Sequence, residues 1–452
     1  MKRLVTLAVA AVLVASTAHL PTSAASNGLS TLETDELEMS YSLLTSEFYK
    51  RTDPQSVLDG AHTELVAFLQ KNGIASPNVP AIHATSDTAT NARELDREVQ
   101  SVANSYGTKF GTRELTYEAI SGLLSSVKDR YTTFLTPKEY AALNEGLDGG
   151  NFSGVGIAIR VDDDTKLLRV TDVIPNGPAE KSGLQPGDVV LTIDGRSTKG
   201  LTSDEDAKLL RGKEGTVVNL GIERKGAPLP NAVAVTRAVI HQPSVYARLL
   251  PNDIGYARLT VFGANTGNEL ASALSRLEAQ GAKAYILDLR DNGGGYLNAA
   301  IDVSSKFVPS GPIVSVEARG GSSTQYDAEN TAIPPKPLAV LVNGYTASAS
   351  EITSGAIQDN GVGELIGTRT FGKGVVQTIH PLPDGSAVKI TSARYLTPHG
   401  HDINAIGIQP DIKVADPARD ARLGELPSDT QLQAAVTYIQ GRLAQQTTSG
   451  AN

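Results

Sequence analysis

The chain has 452 residues, enough for about three domains of ordinary size. With 40% hydrophobic and 20% charged residues it has the balance of a folded globular protein. A net charge of −9 argues against a nucleic-acid partner and a polybasic membrane contact. The absence of cysteine excludes disulfides, a thiolate nucleophile and cysteine metal sites.

Residues 1–24 read as a secretory signal peptide. Lys2 and Arg3 precede an apolar run over 4–15, and Ser16-Thr17-Ala18 or Thr22-Ser23-Ala24 offers a cleavage site. The run is shorter than the ~20 residues needed to span a bilayer, and no cysteine follows it to carry a lipid. The expectation is export to the periplasm, cell envelope or exterior, with an uncleaved N-terminal anchor as the alternative. Residues 25–146 then read as an N-terminal helical region. Leu37, Leu44, Phe48, Leu58, Leu65 and Leu69 recur at helical spacing. Residues 78–90, rich in Pro, Ala, Thr and Ser, predict a loop, and 91–106 predict another helix. These apolar faces serve either packing on the rest of the chain or homodimerisation.

Across 147–240 the pattern changes to short strands and glycine turns. Ser153-Gly154-Val155-Gly156-Ile157 precedes one strand, 170–174 forms another, and Gly177-Pro178-Ala179, Gly183-Leu184, Gly187-Asp188 and Ile193-Asp194-Gly195 follow in order. Turn chemistry alone is the bland reading of such glycines. From 241 to 420 the chain alternates strands and helices. A strand over 254–259, a helix over 270–280 and a buried strand over 285–289 lead to Arg290-Asp291-Asn292-Gly293-Gly294-Gly295.

The stretch 338–359 holds the most chemistry. Leu338, Ala339, Val340, Leu341 and Val342 form an apolar run suited to a strand buried on both faces. Asn343-Gly344 breaks it, and Ile352, Ala356 and Ile357 then fall on one helical face. Ser348 therefore sits at a strand-to-helix turn, where free N–H groups and the positive helix end favour an anion. A hydroxyl there is placed to attack a carbonyl and leave its oxyanion stabilised, although a helix N-cap is the ordinary role of such a serine. There is no G-x-S-x-G motif. Downstream, strand alternation would put Lys373, Val375 and Gln377 on one face. A lysine between glycines and apolar residues is desolvated, which lowers its pKa toward that of a general base. His399 and His401 form a close pair, but on a glycine-rich turn a solvated loop outweighs a metal site. Residues 421–452 predict a helix over 429–443 and a disordered tail, and this helix joins the N-terminal ones as the expected surface of a homodimer.

Thr346-Ala347-Ser348-Ala349-Ser350-Glu351, followed by Phe371-Gly372-Lys373-Gly374 and Gln377, resembles the signature of the C-terminal processing peptidases, or tail-specific proteases. The glycine pattern of 147–240 is similar to a bacterial PDZ domain. Asp129-Arg130-Tyr131-Thr132-Thr133-Phe134-Leu135 and the stretch 392–411 resemble two further motifs of that family. The resemblance implies an α/β, crotonase- or ClpP-like βαβ protease core with an inserted α+β PDZ domain. It implies Ser348 as nucleophile, Lys373 as base and Gln377 orienting the lysine, with no metal or organic cofactor. It further implies the Gly294 and Ala349 N–H groups as oxyanion hole. The family usually has proline where Gly293 stands. Val155, Gly156 and Ile157 would clasp a peptide carboxylate through their N–H groups, beside an apolar pocket including Leu201, Ala207 and Leu210. The expected partners are proteins or peptides with apolar C-termini. The alternatives are a catalytically idle PDZ adaptor and a crotonase-like acyl-CoA enzyme.

Overall fold

The computed structural model describes residues 28–147, 152–162, 165–174, 177–240, 243–417 and 423–449, so the signal-peptide segment lies outside the described residues. Two compact units divide the chain, one of 28–42 with 54–126, the other of 43–53 with the remainder. In the first, the helices Pro54–Lys71, Thr88–Phe110 and Thr112–Ser125 join the start of helix Thr31–Glu47. Leu37, Leu58, Leu65, Leu95, Val99, Leu115 and Ile120 are buried among them. The predicted loop over 78–90 persists until Asp87 caps the helix that begins at Thr88, accepting from the Thr90 N–H.

The second unit is built on a six-stranded sheet in the order Val245–Leu250, Ile254–Leu259, Ala284–Asp288, Leu338–Val342, Glu364–Gly367, Ile412–Lys413. The first pair is antiparallel and the others are parallel. All five residues of Leu338–Val342 are buried, and alternation divides them between two cores. Leu338, Val340 and Val342 pack with helices Thr266–Ala279, Leu297–Ser305 and Ala349–Asp359. Ala339 and Leu341 pack with Leu432, Ala435 and Ile439 of helix Thr430–Ser449. That last helix extends beyond the predicted end at 443 to Ser449, through residues predicted to be disordered. A sheet with helices on both faces needs that cover on its second side.

A second sheet joins Thr133–Leu135, Ala387–Leu396, Pro312–Ala318 and Ser323–Asp327, with Val375–Pro381 also paired to Ala387–Leu396. Thr133–Leu135, read with the N-terminal helical region, thus pairs with the peptidase portion, Thr133 opposite Lys389.

Between helix Pro137–Leu147 and strand Val245–Leu250 lies a module with its own core, including Leu168, Val170, Val190, Leu220, Ile222 and Val235. Its ends meet where Phe152–Gly154 pairs antiparallel with Ala238–Ile240. Helix Ser203–Leu210 begins with a Thr202/Glu205 capping box. Arg237 closes its other end, donating to the carbonyls of Leu209 and Leu210.

Candidate active site

Ser348 is the first residue after the buried strand's turn and the N-cap of helix Ala349–Asp359, with φ 57° and ψ −119°. A non-glycine residue held there costs about 1–3 kcal/mol, so its surroundings must impose it. They do so through several bonds. Thr346 Oγ1 donates to the carbonyl of Leu289 (2.9 Å), and the Ala347 N–H donates to that of Asn292 (3.0 Å). The Asn343 side chain exchanges hydrogen bonds with Asp291. The two loops at the C-terminal ends of neighbouring parallel strands are therefore locked together. The result is a sharp elbow without a G-x-S-x-G sequence.

Ser350 has a different environment. It is fully buried, and its hydroxyl donates to the Asn292 carbonyl at 3.0 Å. Ser348 is half-buried and lines a cavity of about 300 Å³ together with Gly293, Gly294, Gly295, Ala349, Lys373 and Gln377. Leu143 and Leu147, from the helix entering the PDZ-like module, line it too.

Lys373 lies just before strand Val375–Pro381. Its main chain is held by Glu351, a fully buried carboxylate that accepts from the N–H groups of Gly372 (2.7 Å), Lys373 (2.9 Å) and Ser348 (3.0 Å). The Thr370 hydroxyl also donates to it. Tyr395 donates to the Lys373 carbonyl at 2.6 Å and lies 3.2 Å from that of Ser348. One carboxylate and one phenol thus fix the serine turn and the lysine loop relative to each other.

Burial brings the Lys373 pKa down to about 8, and the charge of Lys389 adds to the effect, while Glu351 and Asp129 oppose it. The Lys373 ammonium lies over the Tyr131 ring, 5.1 Å from its centroid. It makes no hydrogen bond to Ser348 among the described residues; the two groups face the same cavity. The Gln377 amide also lines that cavity, but donates to the Val375 carbonyl (3.3 Å) and the Thr391 hydroxyl (3.4 Å) rather than meeting the lysine. Thr391 in turn donates to Asp129.

Gly294 packs directly on the elbow. A Cβ there would lie 2.8 Å from both the Ala349 nitrogen and the Ser348 Cβ, and its φ of +99° suits only glycine. Its N–H, expected to face an oxyanion, donates to Asn292 Oδ1 at 2.9 Å in this state. Ala349 is at the first helical position, where the N–H has no helical acceptor.

In the PDZ-like module Val155 is buried in the core and Gly156 beside it is buried as well, so in this state neither is open to a ligand. Gly156 has φ +78°, and the carbonyls of Val155 and Gly156 accept from Ala179 and Ile174. Ile157, Leu201 and Ala207 are half-buried, whereas Leu210 belongs to the core. Among the described residues no group of His, Asp and Glu forms a metal cluster.

Sequence reasoning missed Asp129, Tyr131, Lys389 and Tyr395 as parts of this site. The 129–135 stretch was visible only as a motif. Its place beside the lysine follows from the pairing of Thr133 with Lys389.

Comparison with known proteins gives the same two parts. Peptidase family S41 matches residues 253–414, and a PDZ domain matches 169–224. A carboxyl-terminal-processing protease of Synechocystis sp. is 41% identical over 336 residues, covering 74% of this chain and 78% of the relative. The Bacillus subtilis carboxy-terminal processing protease CtpA is 36% identical over 353 residues, covering 78% of this chain and 75% of the relative. A solved S41 protease structure from Bacteroides fragilis superposes with a TM-score of 0.50 at 17% identity, covering 89% of this chain and 97% of that one, a likeness of fold. With two relatives matched over three quarters of their length, the chain belongs to the S41 family of serine peptidases and carries a PDZ domain within it.

Proposed function

We propose that the protein is an exported endopeptidase that selects substrates by their C-termini and cleaves them with a Ser348/Lys373 dyad. The observation that carries this reading is the meeting of a strained, half-buried serine and a desolvated lysine in one cavity. Neutral Lys373 leaves the Tyr131 face and takes the Ser348 proton as Oγ bonds to the scissile carbonyl carbon. The oxyanion is held by the N–H groups of Ala349 and Gly294, the latter exchanging Asn292 Oδ1 for the substrate oxygen. The lysine ammonium returns its proton to the leaving amine. A water deprotonated by Lys373 then hydrolyses the acyl ester. Gln377, bonded to the Val375 carbonyl and the Thr391 hydroxyl in this state, turns its amide to the amine during these transfers.

Gly293→Pro tests the choice of oxyanion donor. Nothing lies within 4 Å of a Cβ at Gly293, and its φ is not left-handed. The substitution should leave folding and cleavage largely intact. An intact fold with activity lost would move the oxyanion donor from Gly294 to the Gly293 N–H.

Tail selection is assigned to the Val155–Gly156–Ile157 main chain. A carboxylate clasped by backbone N–H groups makes charge-assisted bonds. Amidating a substrate's C-terminus should therefore cost roughly 1.5–3 kcal/mol, or about ten- to a hundredfold in kcat/KM below saturation. The check is one peptide, as free acid and as amide, assayed well below KM. Equal rates would withdraw tail selection for that substrate.

A further inference from the structure

The catalytic cavity holds a second lysine with no task in the mechanism above. Lys389 comes from strand Ala387–Leu396, and its half-buried side chain lines the cavity with Val376, Gln377 and Ile379. Among the described residues its ammonium makes no hydrogen bond or ion pair. The anion acting on it is Asp129, whose carboxylate already accepts the Thr132 and Thr391 hydroxyls. The cavity lining contains two lysines and no aspartate or glutamate. An ammonium withdrawn from water without a partner is unfavourable unless something else meets it. Here the open side of the group is the substrate cleft.

We propose that Lys389 is a substrate-binding residue whose ammonium pairs with a carboxylate of the substrate chain within a few residues of the scissile bond. The inference rests on Ser348 and Lys373 marking the cleavage point. The carboxylate is supplied either by an Asp or Glu side chain or by the free terminus of a short tail, and both present the same chemistry to the lysine. The pairing sets a preference for acidic over isosteric neutral sequences in the cleft, separate from selection at the PDZ domain.

The test is binding to the Ser348→Ala protein, so that neither turnover nor any change in the basicity of Lys373 enters. The probes are fluorescent peptides differing only by Glu or Gln at one of three positions on each side of the bond, each with a free or amidated terminus. The expected result is about three- to tenfold tighter binding of the carboxylate form, either at one side-chain position or at the terminus. Adding Lys389→Met should abolish that preference, and adding Lys389→Arg should retain it. A side-chain source survives amidation. A terminal source is lost on amidation, to an extent that shrinks when Lys389→Met is added. Equal binding of all forms, or a preference unchanged by Lys389→Met, would overturn the proposal. The dyad reading is judged separately, by cleavage of the neutral peptide in the wild type and its loss in Ser348→Ala.

Discussion

Ser348→Ala is expected to lower kcat/KM by about four orders of magnitude or more, the usual consequence of removing a nucleophile that works as a unit with its base. Folding should be unaffected, because the elbow is held by main-chain bonds and by Glu351, Thr346 and Asn343 rather than by the Ser348 hydroxyl. Ser348→Gly should be equally inactive yet more stable by about 1 kcal/mol, since glycine relieves the left-handed backbone. Ser350→Ala should keep appreciable activity and lose about 1 kcal/mol of stability, the worth of its buried bond to Asn292. Comparable loss of activity in both alanine variants would contradict the assignment of the nucleophile.

The largest effect on stability is expected at Arg290. It is fully buried at the end of strand Ala284–Asp288, beside the glycine turn that packs on Ser348. Its guanidinium bonds Asp288 at 2.6 Å and Asp429 at 2.7 Å, and also reaches Gln431. Tyr256 donates to Asp288 from the neighbouring strand, and Asp429 accepts from Gly424 and Leu432 at the start of the last helix. Arg290→Met leaves two buried carboxylates facing each other without a cation. Such a loss costs about 3–5 kcal/mol, far more than an exposed ion pair. Urea unfolding should register it as a midpoint shift at unchanged slope. A change within about 1 kcal/mol would mean that water or relaxation compensates the carboxylates. Because the network anchors helix Thr430–Ser449 to the sheet, loss of activity should accompany loss of stability.

The parts of the site that were legible in the sequence are those encoded locally. Residues 338–342 form an unbroken apolar run because the strand is covered on both faces, and the change of periodicity after Thr346 marks the elbow. The conformation of Ser348 was not legible, since no glycine signature accompanies it and the strain is imposed by the loop ending in Asn292. The environment of Lys373 was half legible. Flanking glycines and an apolar strand announce burial, but Lys389 and Asp129, which also act on its charge, come from a strand pairing between distant segments. Gln377 shows the same limit. Alternation brings it to the cavity, but its hydrogen bonds depend on Thr391, where the pairing of its strand shifts register. The C-terminal helix ran past its predicted end for a similar reason. Its last turns are polar, and Ala444, Gln445 and Gln446 are exposed, so no apolar periodicity marks the extension beyond Leu443.

The most direct test of the central claim is the pH dependence of kcat/KM on one free-acid peptide. On the proposed dyad mechanism only neutral Lys373 takes the serine proton, so activity should rise with pH through a single limb centred near 8, the value set by burial and the Lys389 charge. An exposed lysine would place that limb near 10.4. Lys373→Arg should be silent across the range, because guanidinium does not deprotonate there. A limb near 6.5 pointing to histidine, or substantial activity in Lys373→Arg, would contradict the Ser/Lys account.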